Sequence, residues 1–189
     1  MRLKAKFVTP LICVIFTFGS AWAKDASKEE QRAEIRAGTK EVLAELYRTQ
    51  PSAKKAVEKA AGYGVFKNFG MKIFIAGGGK GRGMVVDNKT GKETFMKMLE
   101  IQAGLGMGVK KFNVVFVFEN QTVMNEFVNA GWEVGAQTTA AAKSETEGTE
   151  FARAISVKPG VWMYQLTDTG LALELTGKGT KYFKDDKLN

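Results

Sequence analysis

The sequence predicts an α+β fold, with N-terminal helices packed on a strongly curved, glycine-rich antiparallel β-sheet that is barrel-like where the glycines fall. Three observations predict it. Apolar residues recur at helical spacing only near the N-terminus and at 121–130. From Tyr63 onward the pattern changes to short strand-like runs separated by turn signals. Glycine occupies alternate positions at Gly77, Gly79, Gly81 and Gly83, and again at Gly104, Gly106 and Gly108. Alternation is the side-chain period of a strand, so each set lies on one face, where a bare backbone permits close approach or a sharp bend.

The elements follow in order. Met1 to Ala23 reads as a cleaved secretory signal: Arg2, Lys4 and Lys6 precede the apolar run Phe7–Phe18, and Ala21-Trp22-Ala23 is an A-x-A cleavage site. Cys13 lies inside that run without the small residue expected before a lipidated cysteine. Residues 24–50 read as an amphipathic helix, capped by Ser27, with Ile35, Thr39, Val42, Leu43, Leu46 and Tyr47 as its stripe. Its charges cancel, six basic against six acidic. Ser52 to Ala61 reads as a shorter helix with Ala56, Val57 and Ala60 facing inward and Gly62 as a left-handed stop.

Asn88-Lys89-Thr90-Gly91 is a turn signal that joins strands 84–88 and 92–100 in a hairpin. Phe112 to Phe118 is apolar on both faces apart from Asn113, which marks a central, doubly covered strand. Gln121 to Ala130 reads as a helix with Val123, Phe127 and Ala130 on one face, stopped by Gly131. Gly131 to Lys143 returns to strand, and 144–150 is an acidic loop. Val161–Leu166 and Leu171–Leu175 flank Asp168-Thr169-Gly170 as a second hairpin. Residues 51–189 thus form a single domain.

Composition bounds the chemistry. Residues 24–189 contain no cysteine and no histidine. That excludes disulfides, Ser-His-Asp and Cys-His catalysis, and the usual zinc and copper sites. The glycine-rich stretches fail both the G-x-G-x-x-G and the P-loop pattern, since Gly79-Lys80 and Gly177-Lys178 are each followed by glycine. Glu145, Glu147, Glu150 and the pair Asp185-Asp186 match no calcium loop. Trp132, Trp162, Tyr164, Tyr182 and Phe183 suit a core or rim better than a membrane belt. No catalytic residue, cofactor or metal is expected.

The charge is uneven. Residues 24–189 carry 25 Lys and Arg against 20 Asp and Glu. Residues 51–86 hold seven bases, Lys54, Lys55, Lys59, Lys67, Lys72, Lys80 and Arg82, against Glu58 alone. Such a segment favours an anionic partner, and equally suits a solvated basic face. Lys80 and Arg82 lie between glycines, on the opposite strand face. They read either as a lipid-headgroup surface or as an edge strand protected by charge.

Four motifs in order carry a resemblance. They are 60–66 (Ala-Ala-Gly-Tyr-Gly-Val-Phe), 76–83 (Ala-Gly-Gly-Gly-Lys-Gly-Arg-Gly), 102–108 (Gln-Ala-Gly-Leu-Gly-Met-Gly) and 131–135 (Gly-Trp-Glu-Val-Gly). Together they resemble the SYLF domain, and the closing 167–183 is similar to its exported bacterial branch. The resemblance implies a non-catalytic lipid-binding module. Eukaryotic relatives, including the yeast actin-patch proteins, bind phosphoinositides and couple membranes to actin, some through an SH3 domain that this chain lacks. The expectation is an exported protein, periplasmic or secreted from a Gram-negative bacterium. It would attach peripherally to anionic phospholipid through the seven bases of 51–86. The alternative is a scaffolding protein of the envelope that binds a protein partner. Nucleic acid is not expected as a partner.

Overall fold

The computed structural model describes residues 20–67, 78–101, 112–134, 151–167, 170–172 and 179–189. Residues 1–19, where most of the expected signal falls, Gly77, the 104–108 glycine set, and the expected strand and loop over 135–150 lie outside them. The described residues form helices α1 (Ser20–Thr49), α2 (Ser52–Lys59) and α3 (Gln121–Ala130). Their strands are β1 (Gly62–Lys67), β2 (Gly78–Asp87), β3 (Glu93–Ile101), β4 (Phe112–Phe118), β5 (Trp132–Val134), β6 (Ile155–Lys158), β7 (Val161–Thr167), β8 (Gly170–Ala172) and β9 (Gly179–Lys184). All nine strands join one antiparallel sheet in the order β5-β9-β3-β2-β1-β4-β7-β6, with β8 sharing the outer edge of β7. The expected α+β class and curled, barrel-like sheet are therefore present.

The sheet has two apolar faces. On the inner face, Phe66, Phe116 and Phe118 close around Phe127 of α3 with Trp132 and Tyr182. The Phe66 and Tyr182 ring centroids are 4.7 Å apart, although β2 and β3 separate their strands. The glycines explain this. A Cβ on Gly83 would lie 2.1 Å from the Val65 carbonyl oxygen and 2.6 Å from the Phe66 ring. A Cβ on Gly81 would lie 2.6 Å from Met98 and 2.9 Å from the Lys67 carbonyl oxygen. Bare backbone at these two positions lets the sheet curl inward and the Phe66 ring cross over β2.

On the outer face, α1 and α2 pack Val42, Leu46, Ala53 and Val57 against Val65, Val115, Val117, Tyr164 and Leu166. Farther toward its N-terminus, α1 buries Ile35 with Met84, Phe95 and Leu188. The expected stripe of α1 is thus the buried one, and the helix is part of the same core as 51–189. β4 lies between β1 and β7 and is buried on both faces, as its composition predicts.

Several expectations need correction. Ser27 does not cap α1, which begins at Ser20 and runs through it. Gly62 does not stop α2 in the left-handed region. Gly62 opens β1, and its missing Cβ leaves room for Met124 Sδ and the Val86 carbonyl. The α2 terminus is instead closed by Asn88 Nδ2, which donates to the Val57 and Ala60 carbonyls at 2.8 and 3.0 Å. Ala130 is exposed on α3, and Met124 takes the buried place beside Phe127. Gly131 does stop α3, at φ 68°. The β6–β7 hairpin at Pro159-Gly160 and the strand β9 were not anticipated from the sequence.

Candidate functional site: a basic row and groove

Six of the seven anticipated bases are among the described residues, and they fall in two groups. Lys54, Lys55 and Lys59 are exposed on α2, beside the Gly62 end of β1, and Lys54 pairs with Glu58 one turn on at 3.8 Å. Lys67 closes the other end of β1, about 17 Å away at a strand's rise per residue. Lys80 and Arg82 are beside Lys67 on β2, and Lys72 lies outside the described residues. The alternative of an edge strand protected by charge is overturned. β2 is hydrogen-bonded to β1 on one side and to β3 on the other, so no open edge needs protection.

What the structure adds is a row. Lys67 is directly opposite Arg82, and Arg82 is directly opposite Lys97 of β3. The three residues share the outer face within about 10 Å of sheet width. Like charges placed directly opposite oppose pairing. The outer two members have acidic partners. Lys67 Nζ donates to Glu41 of α1, and Lys97 Nζ lies 2.7 Å from Oδ1 of the buried Asp185. Among the described residues the central Arg82 has an amide partner alone, with Nη1 donating to Gln31 Oε1 at 2.9 Å. Its charge is therefore flanked by two cations, and that partner is neutral.

Arg82 opens into a groove of about 990 Å³ between the start of α1, strands β2, β3 and β9, and the C-terminal segment. Five bases line it: Lys28, Lys80, Arg82, Lys97 and Lys187. The acids lining it are Asp185, already bound to Lys97, and the exposed Asp186. Leu99, Phe183 and Leu188 supply an apolar part of the wall.

The groove's position depends on two fastenings. Arg36 of α1 donates to Glu29 at 2.6 Å and to Glu93 of β3 at 2.8 Å, which raises its already high pKa. The hydrogen bonds from Arg36 and then Arg32 hold the Glu29 carboxyl below its ordinary value. The C-terminal segment is tied down by Arg32 Nε donating to the Leu188 carbonyl at 2.8 Å. Asn189 also bonds the Phe95 backbone through both side-chain atoms.

Lys28, Lys97 and Lys187 lie outside the basic segment and were missed. The signal for Lys97 was present. A turn at 88–91 that pairs Val86 with Glu93 also pairs Arg82 with Lys97. Lys28 and Lys187 approach only through tertiary packing, which no local pattern records.

Other anticipated features resolve differently. Tyr164 and Tyr182 are buried, and Trp132 and Trp162 are partly buried, so these aromatics form core and rim and no exposed belt. Among the described residues no three acids gather to hold a metal, and no helix is long and apolar enough to cross a membrane. The acids at 145–150 lie outside the described residues.

No family model matches the chain. It is similar to a protein named beta cell expansion factor A from Aeromonas veronii, at 32% identity over 179 residues, which cover 88% of this chain and 66% of the length of that protein. That name specifies no ligand.

Proposed function

We propose that the protein is a non-catalytic, exported lipid-binding module that attaches peripherally to anionic phospholipid, through the Lys80–Arg82 end of its basic segment. The observation that carries this reading is the row Lys67–Arg82–Lys97, whose central charge has, among the described residues, only an amide partner. Glu41 and Asp185 answer Lys67 and Lys97, so Arg82, flanked by two cations on interior strands that need no edge protection, is the charge an anionic partner would answer. Lys28, Lys80 and Lys187 extend the same field around the groove. Near an anionic bilayer each such base contributes about 1 kcal/mol, enough together for reversible, salt-sensitive attachment. The resemblance to the SYLF domain points the same way.

The test is co-sedimentation with neutral and with anionic vesicles at low and high salt. The expected result is binding to anionic vesicles alone, lost at high salt. The double variant Lys80→Glu/Arg82→Glu should abolish it, whereas Lys54→Glu/Lys55→Glu/Lys59→Glu should only weaken it. Full binding by the first variant would overturn the reading. Salt-insensitive capture of a stoichiometric protein partner would favour the scaffolding alternative.

A further inference from the structure

We propose that the groove beside Arg82 is a discrete site for one single-chain amphiphile with an anionic head. This rests on the lipid-binding reading above and narrows it from a charged surface to a stoichiometric pocket. Two observations carry it. The first is size: about 990 Å³ is at the upper end of small-ligand sites and far exceeds what an inorganic anion needs. The second is the order of side chains on the outer face. Lys80 is directly opposite Leu99, and Arg82 directly opposite Lys97, which in turn is opposite Phe183. Leu99 and Phe183 are half-buried, and the residues directly opposite them, Lys80 and Lys181 for Leu99 and Lys97 for Phe183, are basic.

A site built for a bare phosphate would surround it with donors. Here the donors Lys80, Arg82 and Lys28 stand beside an apolar wall of Leu99 and Phe183. The Arg82 guanidinium presents a planar fork suited to two oxygens of a phosphate or carboxylate, and one of its nitrogens is already held by Gln31. An alkyl chain leaving that head meets Leu99 and Phe183. Seating even two methylenes there favours the amphiphile over its bare head by roughly tenfold.

The probe is dodecyl phosphate, titrated calorimetrically into the purified protein below its critical micelle concentration. Inorganic phosphate and dodecyltrimethylammonium serve as comparison ligands, and anionic vesicles form a separate arm. The expected result is one molecule bound per chain, at least tenfold tighter than either comparison ligand. Arg82→Gln and the exposed-site variant Lys80→Gln should each weaken dodecyl phosphate severalfold, and Leu99→Gln should narrow its advantage over inorganic phosphate. Lys89→Gln, exposed in the turn between β2 and β3 and away from the groove, should change nothing. Circular dichroism identifies any variant that fails to fold, and Lys80→Gln keeps the test open in that event. Equal affinity for inorganic phosphate would overturn the amphiphile site. Binding only above the micelle concentration, without fixed stoichiometry, would overturn the pocket yet leave surface attachment standing. Failure with both dodecyl phosphate and anionic vesicles would remove both readings.

Discussion

Replacing Gly83 by alanine tests whether the bare glycine face closes the sheet. The new Cβ would lie 2.1 Å from the Val65 carbonyl oxygen and 2.9 Å from Phe66 Cα, both backbone atoms of the neighbouring strand, and 2.6 Å from the Phe66 ring. A rotamer change relieves only the last of these. The other two require β1 and β2 to separate by about 1 Å, while β1 is also held by β4 and β2 by β3. Overpacking costs about 1–3 kcal/mol even where side chains can yield, so about 3 kcal/mol is expected here. At about 2–4 °C per kcal/mol for a chain of this size, Tm should fall by roughly 6–12 °C. Gly64→Ala is the control. Its nearest neighbour is a methyl, Val85 Cγ2, at 3.2 Å. That change should cost less than about 1 kcal/mol, helped by the reduced entropy of the unfolded chain. Urea unfolding of both variants, monitored by tryptophan fluorescence, measures the difference. Equal midpoints, or a Gly83→Ala variant as stable as the parent, would refute the view that the glycines exist for close approach.

Four further outcomes are expected. Leu46→Ala empties a fully buried site between α1 and the sheet and should cost about 2–5 kcal/mol in urea unfolding. Asn120→Ala removes the cap that accepts from the Val123 N–H at 3.1 Å and should cost about 1 kcal/mol by the same measurement. At alkaline pH, burial and then the neighbouring Tyr63 and Glu58 push Tyr47 up to about 12, and burial with Glu93 raises Tyr63. Their neutral forms stabilise the fold fully below pH 10, and this contribution is lost as pH rises through the raised values, about 12 for Tyr47; Tyr47→Phe should flatten that loss in thermal scans. At acid pH, Glu29 is held below its ordinary 4.5 by Arg36 and Arg32, so its contribution is present above that value and vanishes as pH falls through the lowered one. Glu29→Gln should make the stability of the α1 contact less dependent on acid, read by hydrogen exchange along α1.

The class of the fold was legible because each local pattern had a single physical cause. The stripe Ile35, Thr39, Val42, Leu46 recurs at helical spacing and is the face α1 buries. Phe112 to Phe118 is apolar on both sides because helices cover both faces of the sheet there. Errors came where two causes share one residue type. Gly62 follows a helix, as a left-handed stop would, yet it is glycine because Met124 and the Val86 carbonyl occupy the Cβ position. Serine at 27 is a common cap, but a cap needs a helix that begins there, and α1 has already begun at Ser20. β9 escaped notice because its residues, Gly179-Thr180-Lys181-Tyr182-Phe183-Lys184, alternate weakly, and their partners on β3 lie nearly half the chain away.

The site was legible only in part, and the reason is geometric. Alternation assigns a residue to a face of its strand, so Lys80 and Arg82 were correctly separated from the glycines. It does not say which strand lies alongside, and the meaning of a lysine on a sheet depends on that neighbour. On an edge, Lys80 and Arg82 would repel other edges. Between β1 and β3, Arg82 stands opposite Lys67 and Lys97, and the same charges become a local cost. Only one of these two pairings is fixed by nearby sequence. The 88–91 turn sets the β2–β3 register and so places Lys97 against Arg82. The β1–β2 register spans residues 68–77 and carries no such marker. Sequence clustering therefore overstates how near Lys54, Lys55 and Lys59 stand to Lys67, since they are close to it in the chain but a strand's length away in space. It understates Lys97, which is distant in the chain and adjacent across the ladder.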